Sequence, residues 1–193
     1  QSAHVPVRSL REHYSSGERG VGGQYCLTRR RAPPGHGSRT CRIPSLVDRF
    51  AAPTEATLIY ELIHDKAEFD RSIGAYSAKI QTTPEKIQQT IFSNQPFAYV
   101  LLAEDNQDKI GFALYGFRYS SFIGQPSIWL DDLFVKPAMR SRGAGTLLMK
   151  KLQQIAKQNN CSHLSWTADA RNFRGLSFYQ HLGAEVVEQR GDR

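Results

Sequence analysis

Between residues 127 and 157 the chain changes its periodicity twice. SIWLDDLFV (127–135) is an apolar strand interrupted at its centre by two adjacent acids, and Pro137 helps to end it. MRSRGAG (139–145) follows, and then Leu147, Leu148, Leu152, Ile155 and Ala156 recur at helical spacing as far as Lys157. A strand, a glycine turn and an amphipathic helix in that order demand a sheet for the helix to cover. The turn also has chemistry of its own. The first amides of a helix have no intrahelical partner, and together with the helix dipole they attract an anion. Glycine at 143 and 145 lets the backbone approach a phosphate without a Cβ in the way, and Arg140 and Arg142 add positive charge. The plain alternative is a glycine-rich helix start with solvated arginines. No Gly-Lys-Ser/Thr closes the turn, so it is not a Walker motif, and the dinucleotide-fold fingerprint fits poorly because its third glycine is missing.

The elements around this unit complete a mixed α/β pattern. PTEATLIYELIHDKAEFD (53–70) carries Leu58, Ile59, Leu62 and Ile63 at helical spacing, with Thr54 as its cap and Glu61 and Asp65 on the wet side. TTPEKIQQTIF (82–92) starts a second helix, with Thr82 and Glu85 forming a capping box and Pro84 in the first turn. FAYVLLAED (97–105) and KIGFALYGFRYS (109–120) read as a hairpin turning at 106–108. CSHLSWTAD (161–169) is a strand, GLSFYQHLG (175–183) a short helix ending in glycine, and AEVVEQ (184–189) the start of a strand. Hairpins followed by a β-α-β unit give a mixed sheet with helices packed on it.

Residues 1–47 differ in composition. They hold eight arginines, two glutamates and no lysine, a net charge of +6, whereas residues 48–193 sum to +1. Without sustained periodicity, this head is expected to be disordered, and it reads either as an organelle transit segment or as non-native upstream sequence. The near-neutral body gives no argument for nucleic acid. Cys26, Cys41 and Cys161 form no ligand spacing, so neither a disulfide framework nor a metal is expected, and the compartment expected is the cytoplasm, or an organelle if the head is a transit segment. No apolar run approaches the roughly 20 residues of a membrane span. His64, His163 and His181 share no ligand pattern, and His4, His13 and His36 lie in the head.

Two further features carry chemistry. Asp131 and Asp132 are adjacent on a strand, so they are expected to point to opposite faces, with at least one partly buried and needing a partner or a purpose. Tyr179, in SFYQHLG, stands beside the Phe178/Leu182 face of its helix, where a packed ring is the ordinary reading.

The turn Arg140-x-x-Gly143-x-Gly145 resembles the acetyl-coenzyme A pyrophosphate loop of the GCN5-related N-acetyltransferase superfamily. More specifically, IGFALYGFRYSSFIGQPSIWLDDLFV (110–135), NFRGLSFYQHLGA (172–184) and ELIHDKAEF (61–69) are similar to segments of the diamine (spermidine/spermine) N-acetyltransferases. The resemblance covers roughly residues 48–190 and implies a mixed sheet whose central parallel strands splay apart around the cofactor arm. It implies cofactor contacts from Leu133, Phe134, Val135, Arg140, Ser141, Arg142, Gly143, Ala144, Gly145, Thr146, Asn172 and Tyr179. It makes Tyr179 the acid that protonates the departing coenzyme A thiolate, and Asp131 the group that helps a proton leave the acceptor ammonium. Asp132, Trp129, Glu104 and Tyr76 are expected at the amine pocket. Relatives carry glutamate at the position of Asp131, and often tryptophan at that of Arg171. The activity implied is acetyl transfer from acetyl-coenzyme A to a primary amine of a small diamine, polyamine or related amino acid, without a metal, in a homodimer. The alternatives are a peptide or protein acetyltransferase and a coenzyme A-binding protein with little activity. Relatives also continue beyond the region like AEVVEQ into one more strand beside 161–168, so an unpaired sheet edge is expected there.

Overall fold

A computed structural model describes residues 22–28 and 46–190. The expectations placed on 1–21 and 29–45, including those on Cys41 and the three head histidines, lie outside the described residues. Strands β1 (Gly22–Thr28), β2 (Leu46–Phe50), β3 (Tyr99–Asp105), β4 (Asp108–Ser120), β5 (Gln125–Val135), β6 (His163–Asp169) and β7 (Glu185–Arg190) form one sheet in the order β2-β3-β4-β5-β6-β1-β7. Helices α1 (Ala56–Ser72), α2 (Pro84–Ile91), α3 (Ala144–Gln158) and α4 (Phe173–His181) complete the described structure. The β5–β6 pair is parallel and the others are antiparallel, which is the mixed sheet expected.

Both faces of the sheet are covered, which explains the unbroken apolar run of β3. Leu101 and Ala103 turn towards Leu148, Met149, Leu152 and Ile155 of α3. Val100 and Leu102 turn the other way, joining Phe112 and Phe134 under Ile59 and Leu62 of α1 and Ile87 of α2. A leucine or phenylalanine sealed in this way contributes about 1.5–3 kcal/mol. The β3–β4 hairpin turns through Asn106 and Gln107, both with positive φ, which matches the right-handed twist of the flanking strands.

Several sequence expectations change. The second helix is capped by Thr83, not Thr82: the Thr83 hydroxyl accepts from the Lys86 amide at 3.3 Å. Thr54 does not cap the first helix either, because a 3-10 turn (Pro53–Glu55) precedes it and Glu55 accepts from the Ala52 amide at 2.8 Å. Two strands went unforeseen. β2 pairs with the far side of β3, Val47 opposite Glu104. β1 lies between β6 and β7, antiparallel to both, with Tyr25 opposite Trp166 and Val186. Residues 22–28 are therefore ordered sheet rather than disordered head, and the edge expected to be open beside 161–168 is paired.

Candidate active site

The central feature is the divergence of β5 from β6. The two strands pair only at Ile128–Leu130 against Leu164–Trp166. Beyond that they separate, and a cavity of about 1060 Å³ opens between them, walled by α1 on one side and by the glycine turn and α4 on the other. Leu133, Phe134 and Val135 line it from β5, and Thr167, Ala168 and Asp169 from β6. Backbone left unpaired at such a gap is free to bond an extended ligand.

At one end stands the turn into α3. Gly143 is its N-cap, with φ of 95°, a left-handed conformation that side chains other than glycine adopt only with strain. That geometry lets the chain double back so that the first-turn amides of α3 open onto the cavity, where Ser141, Gly143, Ala144, Gly145 and Thr146 all appear in the wall. A Cβ at Gly145 would come to 3.2 Å from the Phe178 ring, so glycine also permits α3 and α4 to meet closely. Arg140 lines the same end of the cavity but is tethered there. Its Nε donates to the Val135 carbonyl at 2.8 Å, and its guanidinium lies 4.2 Å from the Phe69 ring centre. It therefore braces the turn against the end of β5, and burial, with Arg174 nearby, lowers its pKa. Arg142 is exposed and absent from the wall. The second cation at this end is Arg174, which sequence reading missed. Its Nη2 donates to the Ser141 hydroxyl at 2.8 Å. Asn172 caps α4, accepting from the Gly175 amide at 2.9 Å, and lines the same end. An anion such as a diphosphate fits this donor set.

Towards the other end lie the acids. The β4–β5 register slips between Leu114 and Tyr115: Leu114 faces Asp132 whereas Tyr115 faces Leu130, so Asp131 is the extra residue of a bulge. Strict alternation would have sent one of the two carboxylates away, but the bulge brings both into the cavity wall. Trp129, also in the wall, donates from Nε1 to Asp131 Oδ1 at 3.0 Å, and its ring carries the Arg118 guanidinium at 3.6 Å. Loss of water around the Asp131 carboxylate raises its pKa, with the Trp129 bond opposing. Asp132 is held by Lys66 of α1, Nζ to Oδ1 2.9 Å, and the same ammonium holds Asp70 at 2.6 Å. Tyr76 lines the cavity beside Arg71, whose guanidinium lies 5.4 Å from the ring centre. Glu104 does not belong here. It pairs with Arg49 of β2 at 2.5 Å and Lys109 of β4 at 3.3 Å, outside the cavity wall, because the unforeseen β2 supplies its partner. Arg171 is likewise committed, its Nε and Nη2 bonding Asp169 at 2.9 and 2.8 Å.

Tyr179 sits between the two ends. It is 8% exposed, and its ring packs against Trp166 at 4.8 Å, Phe178 at 5.4 Å and Tyr25 of β1 at 5.7 Å. Burial raises the phenol pKa well above its ordinary value, so the group keeps its proton throughout the neutral range. Among the described residues no cluster of His, Cys, Asp and Glu could hold a metal, and no helix is long and apolar enough to cross a membrane.

Residues 58–184 match the acetyltransferase (GNAT) family. The thialysine N-epsilon-acetyltransferase of Bos taurus is 30% identical over 139 residues, 68% of this chain and 79% of that protein. The spermidine/spermine N(1)-acetyltransferase-like protein 1 of Homo sapiens is 27% identical over 143 residues, 70% of this chain and 20% of that protein. An aminoglycoside acetyltransferase from an uncultured soil metagenomic sample superposes with a TM-score of 0.63 at 19% identity, over 77% of this chain and 94% of that one, and so shares the fold.

Proposed function

The chain belongs to the acetyltransferase (GNAT) family, whose members draw acetyl from acetyl-coenzyme A, and from that premise we propose that it acetylates a primary amine of a small diamine, polyamine or related amino acid. The amine nitrogen bonds to the acetyl carbon, the carbon–sulfur bond breaks, and the departing thiolate takes the phenolic proton of Tyr179; the proton that the new amide nitrogen sheds restores the phenol. The acceptor arrives as an ammonium with a pKa of about 10, so it must first lose a proton. Asp131, its carboxylate facing the cavity from the bulge, helps to remove it. The turn around Gly143, with Arg174, holds the diphosphate, and the diverging backbones of β5 and β6 hold the extended arm. The observation that carries this reading is the meeting, along one cavity, of an anion cradle, a protonated phenol and a carboxylate. The names of the bovine and human relatives, which specify thialysine and spermidine/spermine, support a small amine as acceptor. A homodimer belongs to the same reading, supported by the exposed apolar cluster Phe117, Tyr119, Phe122 and Ile123 at the far end of the β4–β5 hairpin.

The decisive assay is coenzyme A release over a panel of polyamines, diamines, thialysine, other small amines and peptides. Turnover confined to peptides would reject the small-amine acceptor, and no turnover with any acceptor would reject the enzyme reading. Within that assay, Asp131→Asn is expected to lower kcat/KM by on the order of 10²-fold. The pH profile carries the sign. A carboxylate that accepts a proton must be ionised, so wild-type kcat/KM falls as pH drops through its raised pKa, and Asp131→Asn loses that acid limb. Superimposable profiles would remove Asp131 from the proton path.

A further inference from the structure

The acceptor end of the cavity already contains a cation. Lys66 projects from α1 and its ammonium lies 2.6 Å from Asp70 Oδ2 and 2.9 Å from Asp132 Oδ1, and all three residues line the cavity. The side chains are 28%, 17% and 23% exposed, so the group is sheltered without being sealed. Burial by itself would lower the lysine pKa, but the two carboxylates together outweigh it and the net shift is upward, so the charge is permanent at neutral pH. Among the described residues Asp131 makes no ion pair of this kind; its oxygen receives the Trp129 N–H, and the residue lines the cavity. Lys66, Asp70 and Asp132 line the same cavity as Tyr179, and their charges all bear on its phenol.

Three carboxylates therefore face the acceptor, and they are not equivalent. A diamine bringing one ammonium to Asp131 would need a seat for its second. The Asp70–Asp132 pair is the natural seat, and Lys66 occupies it. With Lys66 in place the triad sums to one negative charge rather than two, and a second ammonium seated there would also have a like charge beside it. Displacing Lys66 instead would leave a charged side chain without its partners in a sheltered place.

We propose that Lys66 is a specificity-determining residue: by filling the Asp70–Asp132 seat with its own ammonium, it restricts the pocket to acceptors carrying one net positive charge and disfavours diamines and polyamines. The inference rests on the amine-acetylating reading above and narrows it to singly charged amines, amino acids with a side-chain amine among them.

The test uses two acceptors of equal length, pentylamine and 1,5-diaminopentane, which differ by the distal ammonium. The wild-type enzyme should favour pentylamine in kcat/KM, and Lys66→Met should shift the ratio towards the diamine by at least about tenfold. Lys66→Arg, which keeps the charge, should retain the wild-type preference. A ratio unchanged in Lys66→Met overturns the assignment, and so does an equal shift in Lys66→Met and Lys66→Arg, which would mean that shape rather than charge decides. If the wild-type enzyme acetylates neither amine, the acetyl-transfer reading is judged separately, by the full acceptor panel above. Calorimetric binding of the same two amines to the coenzyme A complex then decides the Lys66 question: a diamine affinity that rises in Lys66→Met relative to pentylamine supports it, and an unchanged relative affinity overturns it.

Discussion

Tyr179→Phe is expected to lower kcat by about 10²- to 10⁴-fold, the usual contribution of a positioned acid, with little change in acetyl-coenzyme A affinity. The substitution removes one oxygen and keeps the ring, so the contacts with Trp166, Phe178 and Tyr25 survive and the fold should melt at nearly the same temperature. Direct attack of an amine on a thioester releases a sulfur anion, and a phenol already stripped of water and kept protonated is well suited to quench it. Because the phenol acts only as the C–S bond breaks, its loss should appear in kcat and kcat/KM together. Equal turnover of wild type and Tyr179→Phe with both substrates saturating would remove the tyrosine from the chemistry.

Gly143→Val should act on binding instead, weakening coenzyme A on the order of 10- to 100-fold, the equivalent of the 1–3 kcal/mol that such a strained backbone costs. Space is not the obstacle: an added Cβ would find only Leu46 Cδ2, at 3.9 Å. The obstacle is φ of 95°, which a β-branched residue resists. Relaxing that angle turns the first amides of α3 away from the cavity. Gly143→Asn, which tolerates positive φ better, should lose less. The measurement is equilibrium titration with coenzyme A, accompanied by a melt to establish that both variants are folded. Undiminished affinity in a folded Gly143→Val protein would defeat the cradle assignment.

The parts of this molecule governed by local pattern were legible in the chain. Strand, glycine turn and helix between 127 and 158 appear where the periodicity put them, and the resemblance brought Tyr179, Asp131 and the turn to one cavity. What escaped depended on contacts distant in sequence. Lys66 sits on α1 among residues that look merely polar, and only the fold turns it towards Asp132. Glu104 was expected at the amine pocket, but β2 brings it Arg49 instead. Asp131 and Asp132 share the cavity because of a bulge, and one extra residue in a ladder leaves no mark on hydrophobic alternation. Arg174 stands at the turn where proximity to the glycines suggested Arg142, since α4 brings it to Ser141. β1 was hidden by the glycine- and arginine-rich composition around it. Its evidence is tertiary, chiefly Tyr25 stacked at 6.1 Å on Trp166.

That strand has a consequence for how the molecule assembles on the ribosome. Residues 22–28 precede β6 and β7, the strands they pair with, by almost a whole domain, and among the described residues β7 has no other strand partner in the sheet. Contacts so far apart along the chain form slowly, and an emergent segment left waiting is open to wrong pairings. The wall behind Tyr179 includes Tyr25, so the tyrosine's surroundings are complete only when this strand has docked. Among the described residues the edge strand β7 joins the sheet through β1 alone, so docking of residues 22–28 seats both β7 and the wall behind Tyr179.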